Sequence, residues 1–221
     1  MKNNNPFEKQ WQDKLKAGLT KIGKADLFND IIEHIQTDDR VEWNRQLMTL
    51  LSANLSEAEI KLVMCSCACL APKDNLAHIR DEYVKTKNIP HVHAMLQQQF
   101  EIFIRQYKKL DDNQMNFLRE NGWGMAGKLR DNVIYATKIP KDFHNYFSTD
   151  DQSKKSYYYC HCPRIHEMLG KNEKTIDANY CYCGAGYYKD LWEYITQNEV
   201  KVEIIKSIMD GDDVCQIAIY L

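Results

Sequence analysis

The chain is expected to fold as α+β: an N-terminal helical region over residues 1–121, then an α/β domain with a mainly antiparallel sheet over residues 122–221. Three observations carry this expectation. Apolar residues recur at helical intervals through the first 121 residues. The texture changes at Asn121-Gly122-Trp123-Gly124. Beyond that point, short β-prone segments are joined by turn-forming residues.

The elements follow in order. Pro6 to about Ile22 carries Phe7, Trp11, Leu15 and Leu19 at intervals of four, and Leu27–Ile35 and Val41–Leu55 continue the helical spacing. Ser56 and Glu59 have the spacing of a capping box, and Ile60, Val63, Met64 and Cys67 follow as one helical stripe that Pro72 is expected to end. A short helix near Asn75–Lys87 precedes one opened by Pro90 and carrying Val92, Met95, Leu96, Gln99, Phe103 and Tyr107. Asp111-Asp112-Asn113 caps a last short helix through Leu118. These stripes are read as a bundle core. In the second half, Lys128-Leu129 and Val133–Ala136 flank Arg130-Asp131-Asn132 as a hairpin, and Tyr157-Tyr158-Tyr159 is a β-prone run. Gly184–Ile195 is read as a helix with Tyr188, Leu191 and Ile195 on one face. Val200–Ile208 and Val214–Leu221 are read as strands joined at Asp210-Gly211.

A chain of 221 residues is long enough to bury a stable core without staples. With 29 basic and 31 acidic residues there is no electrostatic footprint for nucleic acid, and no 18-residue apolar run marks a membrane span. The N-terminus has no apolar core of a secretory signal, so the expected location is cytoplasmic, where thiols stay reduced. Gly-x-Ser-x-Gly, Walker, dinucleotide-fingerprint and His-Glu-x-x-His motifs are all absent, which removes several enzyme classes.

The eight cysteines are clustered: Cys65, Cys67 and Cys69; Cys160 and Cys162; Cys181 and Cys183; and Cys215 alone. If residues 57–69 are helical, Cys65 and Cys69 share a face while Cys67 points into the apolar stripe as a small buried residue. Cys65 and Cys69 are then either half of a metal site or packed on a neighbouring helix. In extended chain, residues two apart project together, so Cys160 pairs with Cys162, and Cys181 with Cys183. Four thiolates match the demand of a tetrahedral structural zinc; the competing reading is buried or redox-reactive cysteines. His161 falls on the opposite face. By alternation Cys215 shares a strand face with Ile217, Ile219 and Leu221, and Glu203 is a solvated strand residue.

The segment Cys-Tyr-Cys-Gly-Ala-Gly-Tyr-Tyr-Lys-Asp-Leu-Trp-Glu (181–193), with Val-Lys-Val-Glu (200–203) and Gly-Asp-Asp-Val-Cys-Gln-Ile-Ala-Ile (211–219), resembles the C-terminal part of the 4-vinyl reductase domain. That resemblance implies a fold like transport-particle domains, with a small apolar ligand pocket beside a zinc site. It places metal ligands at Cys181 or Cys183, at Glu203 and at Cys215. The remaining cysteine of the pattern falls at Ser207. Either Cys183, Cys160 or Cys162 then supplies the fourth ligand, or zinc is not held in this way. The wider stretch from about Leu55 to Leu221 is similar to proteins grouped near the L-2-amino-thiazoline-4-carboxylic acid hydrolase-like family. The residues that carry this are the early Cys-x-Cys, His93–Phe100, Gly122-Trp123-Gly124, Thr137–His144 and the two later Cys-x-Cys segments.

The expected function is binding of a small apolar or heterocyclic molecule, beside a zinc site drawn from Cys160, Cys162, Cys181, Cys183, Glu203 and Cys215. Tyr157–Tyr159, Tyr182, Tyr187, Tyr188 and Trp192 are candidates for the pocket lining. The alternative is a zinc-dependent hydrolase of a small heterocycle, such as 2-aminothiazoline carboxylate, with His144, His161 or Glu203 as acid/base groups. A third reading is a thiol redox or iron–sulfur protein. The helical region is expected to pack on the C-terminal domain or to mediate a homodimer.

Overall fold

Capping side chains set where many of the helices begin. The computed structural model describes residues 6–70, 72–171, 173 and 175–221. After α1 (Pro6–Lys21) and α2 (Ala25–His34), Asp39 accepts the Glu42 N–H at 2.8 Å and opens α3 (Arg40–Asn54). The reciprocal Ser56–Glu59 capping box opens α4 (Glu57–Ser66). A 3₁₀ turn (Lys73–Leu76) leads into α5 (Ala77–Thr86). Asn88 then caps α6 (Ile89–Lys108), and an Asp111–Gln114 box opens α7 (Asp112–Glu120).

Helix α4 stops at Ser66, short of Pro72, so Cys69 lies beyond it and does not share its face with Cys65. The last turn tightens at Cys67, and Lys14 from α1 donates to the Ala68 carbonyl at 2.6 Å, holding the departing strand of chain. Cys67 is fully buried, as its place in the stripe required.

The second half carries a four-stranded antiparallel sheet in the order β1 (Lys128–Arg130), β2 (Val133–Thr137), β4 (Gln216–Tyr220), β3 (Lys201–Lys206). Ile134 and Val202 both face Ile219, while Ala136 and Ile204 both face Ile217, so one face of the sheet is aliphatic. Three expectations need correction. Tyr157-Tyr158-Tyr159 closes a helix, α9 (Gln152–Tyr159), because Asp151 caps it through the Ser153 and Lys154 N–H groups and outweighs the β-propensity of three tyrosines. Two short helices, α8 (Phe143–Phe147) and α10 (His166–Gly170), occupy stretches with no periodic signal. Cys215 lies just before β4 and not within it, because its N–H is bonded to a side chain and not to the sheet.

Helix α11 (Tyr182–Thr196) packs between the sheet and helices α4 and α5. Tyr188, Leu191 and Ile195 form one buried face, as expected, but Ala185, Gly186, Trp192 and Thr196 are buried as well. Gly186 meets the α4 backbone directly: a Cβ there would overlap the Cys65 carbonyl. Only glycine permits this helix-on-helix approach. The buried core is continuous from Trp11 in α1 to Ile219 in β4. No described helix is long and apolar enough to cross a membrane.

Candidate functional site

A cavity of about 650 Å³ opens between α6, the aliphatic face of the sheet, the Cys160–Ile165 segment and the start of α11. Phe100, Ile104, Ile139, Ile204 and Ile217 supply apolar wall. Cys160, Cys162, Cys181, Cys183 and Cys215, five of the six expected metal ligands, also line it.

They do not reach it in the way the alternation implied. Asp177 accepts the Asn179 N–H at 2.8 Å and starts a 3₁₀ turn (Ala178–Cys181) that runs straight into α11. Cys181 and Cys183 are therefore helical, not extended, and are turned apart. Two thiol neighbourhoods result. Cys181 feels Cys215 and Cys160, whereas Cys183 feels Cys162 and Cys69. Within the Cys160–Cys162 turn, the Cys162 N–H donates to the Cys160 sulfur at 3.4 Å, and Cys183 donates to the Cys67 carbonyl at 3.2 Å.

Burial raises all five thiols. Cys160 and Cys183 are pushed up to about 12, and Cys181 is pushed well above its ordinary value despite a hydrogen bond from Ser207 and the nearby Lys138 charge. Cys162 and Cys215 move in the same direction. At neutral pH these are thiols and not thiolates.

The remaining sequence candidates fall elsewhere. Glu203 lies on the opposite face of the sheet from Ile204 and is held by the Tyr220 hydroxyl and the Lys201 ammonium, both at 2.8 Å. His144 is exposed on α8, where its Nε2–H donates to the Lys108 carbonyl at 3.2 Å; it clips α8 to the end of α6 and does not line the cavity. His161 does line it, with Nε2–H donating to the Ile139 carbonyl at 2.7 Å. It keeps an exposed face, yet lost hydration and the Lys138 charge bring its pKa down to about 4. Cys65 is half-buried against α11, and Cys69 is exposed at the cavity wall.

Residues 132–221 match a family of unknown function, DUF6144. The match takes in the sheet from β2 onward, both later Cys-x-Cys segments and α11, which together form much of the cavity wall. Comparison with curated proteins and with solved structures finds no match for the chain.

Sequence reasoning missed the residue at the centre of the first thiol group, Lys138. It follows β2, lines the cavity, and is surrounded by Cys215, Cys160, Tyr188 and Cys181. By surface area it is half-buried, with the cavity as part of its surroundings. Burial opposes its charge, whereas Cys215, Cys160, Tyr188 and Cys181 favour it in so far as they ionise. A lysine between an apolar strand and Ile139-Pro140 was the available signal. Arg164 was also missed: it is buried, paired with Glu8 and stacked 4.1 Å over Trp11.

The donor set does not form a ready metal centre. Among the described residues, no three His, Cys, Asp or Glu side chains form a group able to hold a metal ion. Lys138 also lies near Cys160, Cys181 and Cys215, where its charge opposes that of a bound cation.

Proposed function

We propose that this chain binds a small, mainly apolar molecule in the cavity between α6, the sheet and α11. The observation that carries this reading is the cavity itself. At about 650 Å³ it has the size of a small-molecule site, and its wall combines aromatic and aliphatic side chains with a few inward polar groups. Screening the purified protein by thermal shift against small amphipathic molecules should yield stabilising ligands, as binding to the folded state raises Tm. Ligands that stabilise the wild type but not an Ile217→Trp variant, whose cavity is filled, support the reading. Equal stabilisation of both proteins sinks it.

Zinc is kept as a second reading on one observation. Ser207, where the 4-vinyl reductase pattern has a cysteine, lies beside Cys181, with Cys215 and Cys160 near, which supports this reading, while Glu203 of the pattern stands on the far face of the sheet. Cys160, Cys181 and Cys215 would then have to draw together as ligands, deprotonated on binding, with Lys138 turned away. Elemental analysis of protein purified without chelator should find about one zinc per chain under this reading. Metal-free protein with an unchanged melting curve removes it and leaves the cavity reading intact.

A further inference from the structure

We infer that the occupant of the cavity is an organic carboxylate, its anionic end seated on Lys138 and its apolar body lying along the α6 and sheet walls. This inference rests on the ligand-binding reading above and adds the chemical class of the ligand.

The first support is an unanswered ammonium. Among the described residues the Lys138 Nζ makes no hydrogen bond or ion pair, although the side chain is half-buried and lines the cavity. Its nearest polar neighbours are thiols and phenols, and no carboxylate lines the cavity to oppose its charge. A charge partly withdrawn from water without a partner is costly, and a bound anion offsets that cost.

The second support is the sign of the wall. Among the described residues lining the cavity are Lys108, Lys138, Lys141 and Arg164, and no aspartate or glutamate. The protein as a whole carries a net charge of -2, so this positive wall runs against the overall balance. Glu8 already neutralises Arg164. Lys138 is the deep cation, with Lys141 exposed at the surface.

The third support is the neighbour of Nζ. A Cβ on Gly184 would sit 3.1 Å from it, which places the ammonium against the first turn of the 15-residue α11. Cys181 gives that helix no side-chain cap. The positive end of a helix dipole repels a cation and attracts an anion, so a negative group here answers both the helix and the lysine. One lysine suits a single negative charge. The surrounding Phe100, Ile104, Ile139, Ile204 and Ile217 suit a hydrocarbon or aromatic body more than a heavily charged phosphate ester.

The test is calorimetric titration at pH 7.5 with decanoate and decan-1-ol, which share a ten-carbon body and differ in charge. Decanoate should bind at least tenfold more tightly than the alcohol, as for a charge-assisted hydrogen bond. Lys138→Met should remove that preference and Lys138→Arg should keep it. Gly184→Ala, which crowds Nζ while leaving the lysine in place, should weaken decanoate and spare decan-1-ol; it also serves if the Lys138→Met protein does not fold. Equal binding of the two probes by wild type overturns the carboxylate assignment and leaves the cavity reading standing. A preference that survives both Lys138→Met and Gly184→Ala overturns the assignment to Lys138. Binding of neither probe counts against the cavity reading itself, and the inference falls with it.

Discussion

The hydroxyl of Tyr159 accepts the backbone N–H of Cys215 at 2.7 Å, tying the end of α9 to the residue that leads into β4. The same hydroxyl donates to the Lys138 carbonyl at 2.8 Å. One buried phenol thus fixes two cavity residues that are far apart in sequence. Tyr159→Phe removes the acceptor and leaves the Cys215 N–H buried without a partner. The expected loss, read by denaturant unfolding, is about 1–3 kcal/mol, with weaker ligand binding.

The buried pair Glu8–Arg164 joins α1 to the segment before α10, with Asn44 also accepting from Arg164 at 3.4 Å. Removing one partner strands the other charge away from water. Glu8→Ala should therefore destabilise by about 3–5 kcal/mol. Glu8→Ala combined with Arg164→Met should lose clearly less than the sum of the two single changes. A strictly additive double-mutant cycle would show that the pair is not coupled.

Gly186 allows α11 to touch the α4 backbone at Cys65. Gly186→Ala would be favourable on helix propensity alone, yet it must push the two helices apart. The predicted cost is about 1–3 kcal/mol, read as a lowered Tm. An unchanged or raised Tm would mean that the two helices are not in backbone contact.

Acid should destabilise the fold through His161. Its folded pKa of about 4 lies below the ordinary 6.5, so between those values the unfolded chain binds the extra proton and the folded chain does not. Stability therefore falls as pH drops from about 6.5 toward 4. His93, stacked on Trp192 and also shifted down by burial, acts in the same direction. His161→Gln should lose less stability than wild type between pH 6.5 and 5, and the His161 resonance should titrate well below 6.5 in NMR.

Thiol reactivity should separate the cysteines by environment. Cys69 is exposed, whereas burial has pushed Cys160 and Cys183 up to about 12. Labelling with a disulfide reagent at pH 7.5 should show a fast equivalent that is absent in Cys69→Ser, with Cys160 reacting only as the protein unfolds. Fast labelling of Cys160 in the folded protein would contradict the burial described.

Local signals settled much of the architecture. Ser56 with Glu59, Asp111 with Gln114, and Asn88 before Pro90 place helix starts through hydrogen bonds that span three residues, and the stripes on α1, α4 and α6 point to the core by helical period alone. The turn residues Arg130-Asp131-Asn132 and Asp210-Gly211 marked the hairpins of an antiparallel sheet, and the later cysteine clusters fell at the cavity. What the sequence could not decide was set by contacts between distant residues. Tyr159 bonds across to Cys215, and Glu203 is tied to Tyr220 on the far side of the sheet, whereas the Asp177 cap that winds Cys181 and Cys183 into α11 was a local signal that the alternation of cysteines masked. Lys138 carried no motif at all. It matters because β2, the Cys160 turn, α11 and the approach to β4 enclose one ammonium where no carboxylate meets it, and such an enclosure exists only once the chain has folded.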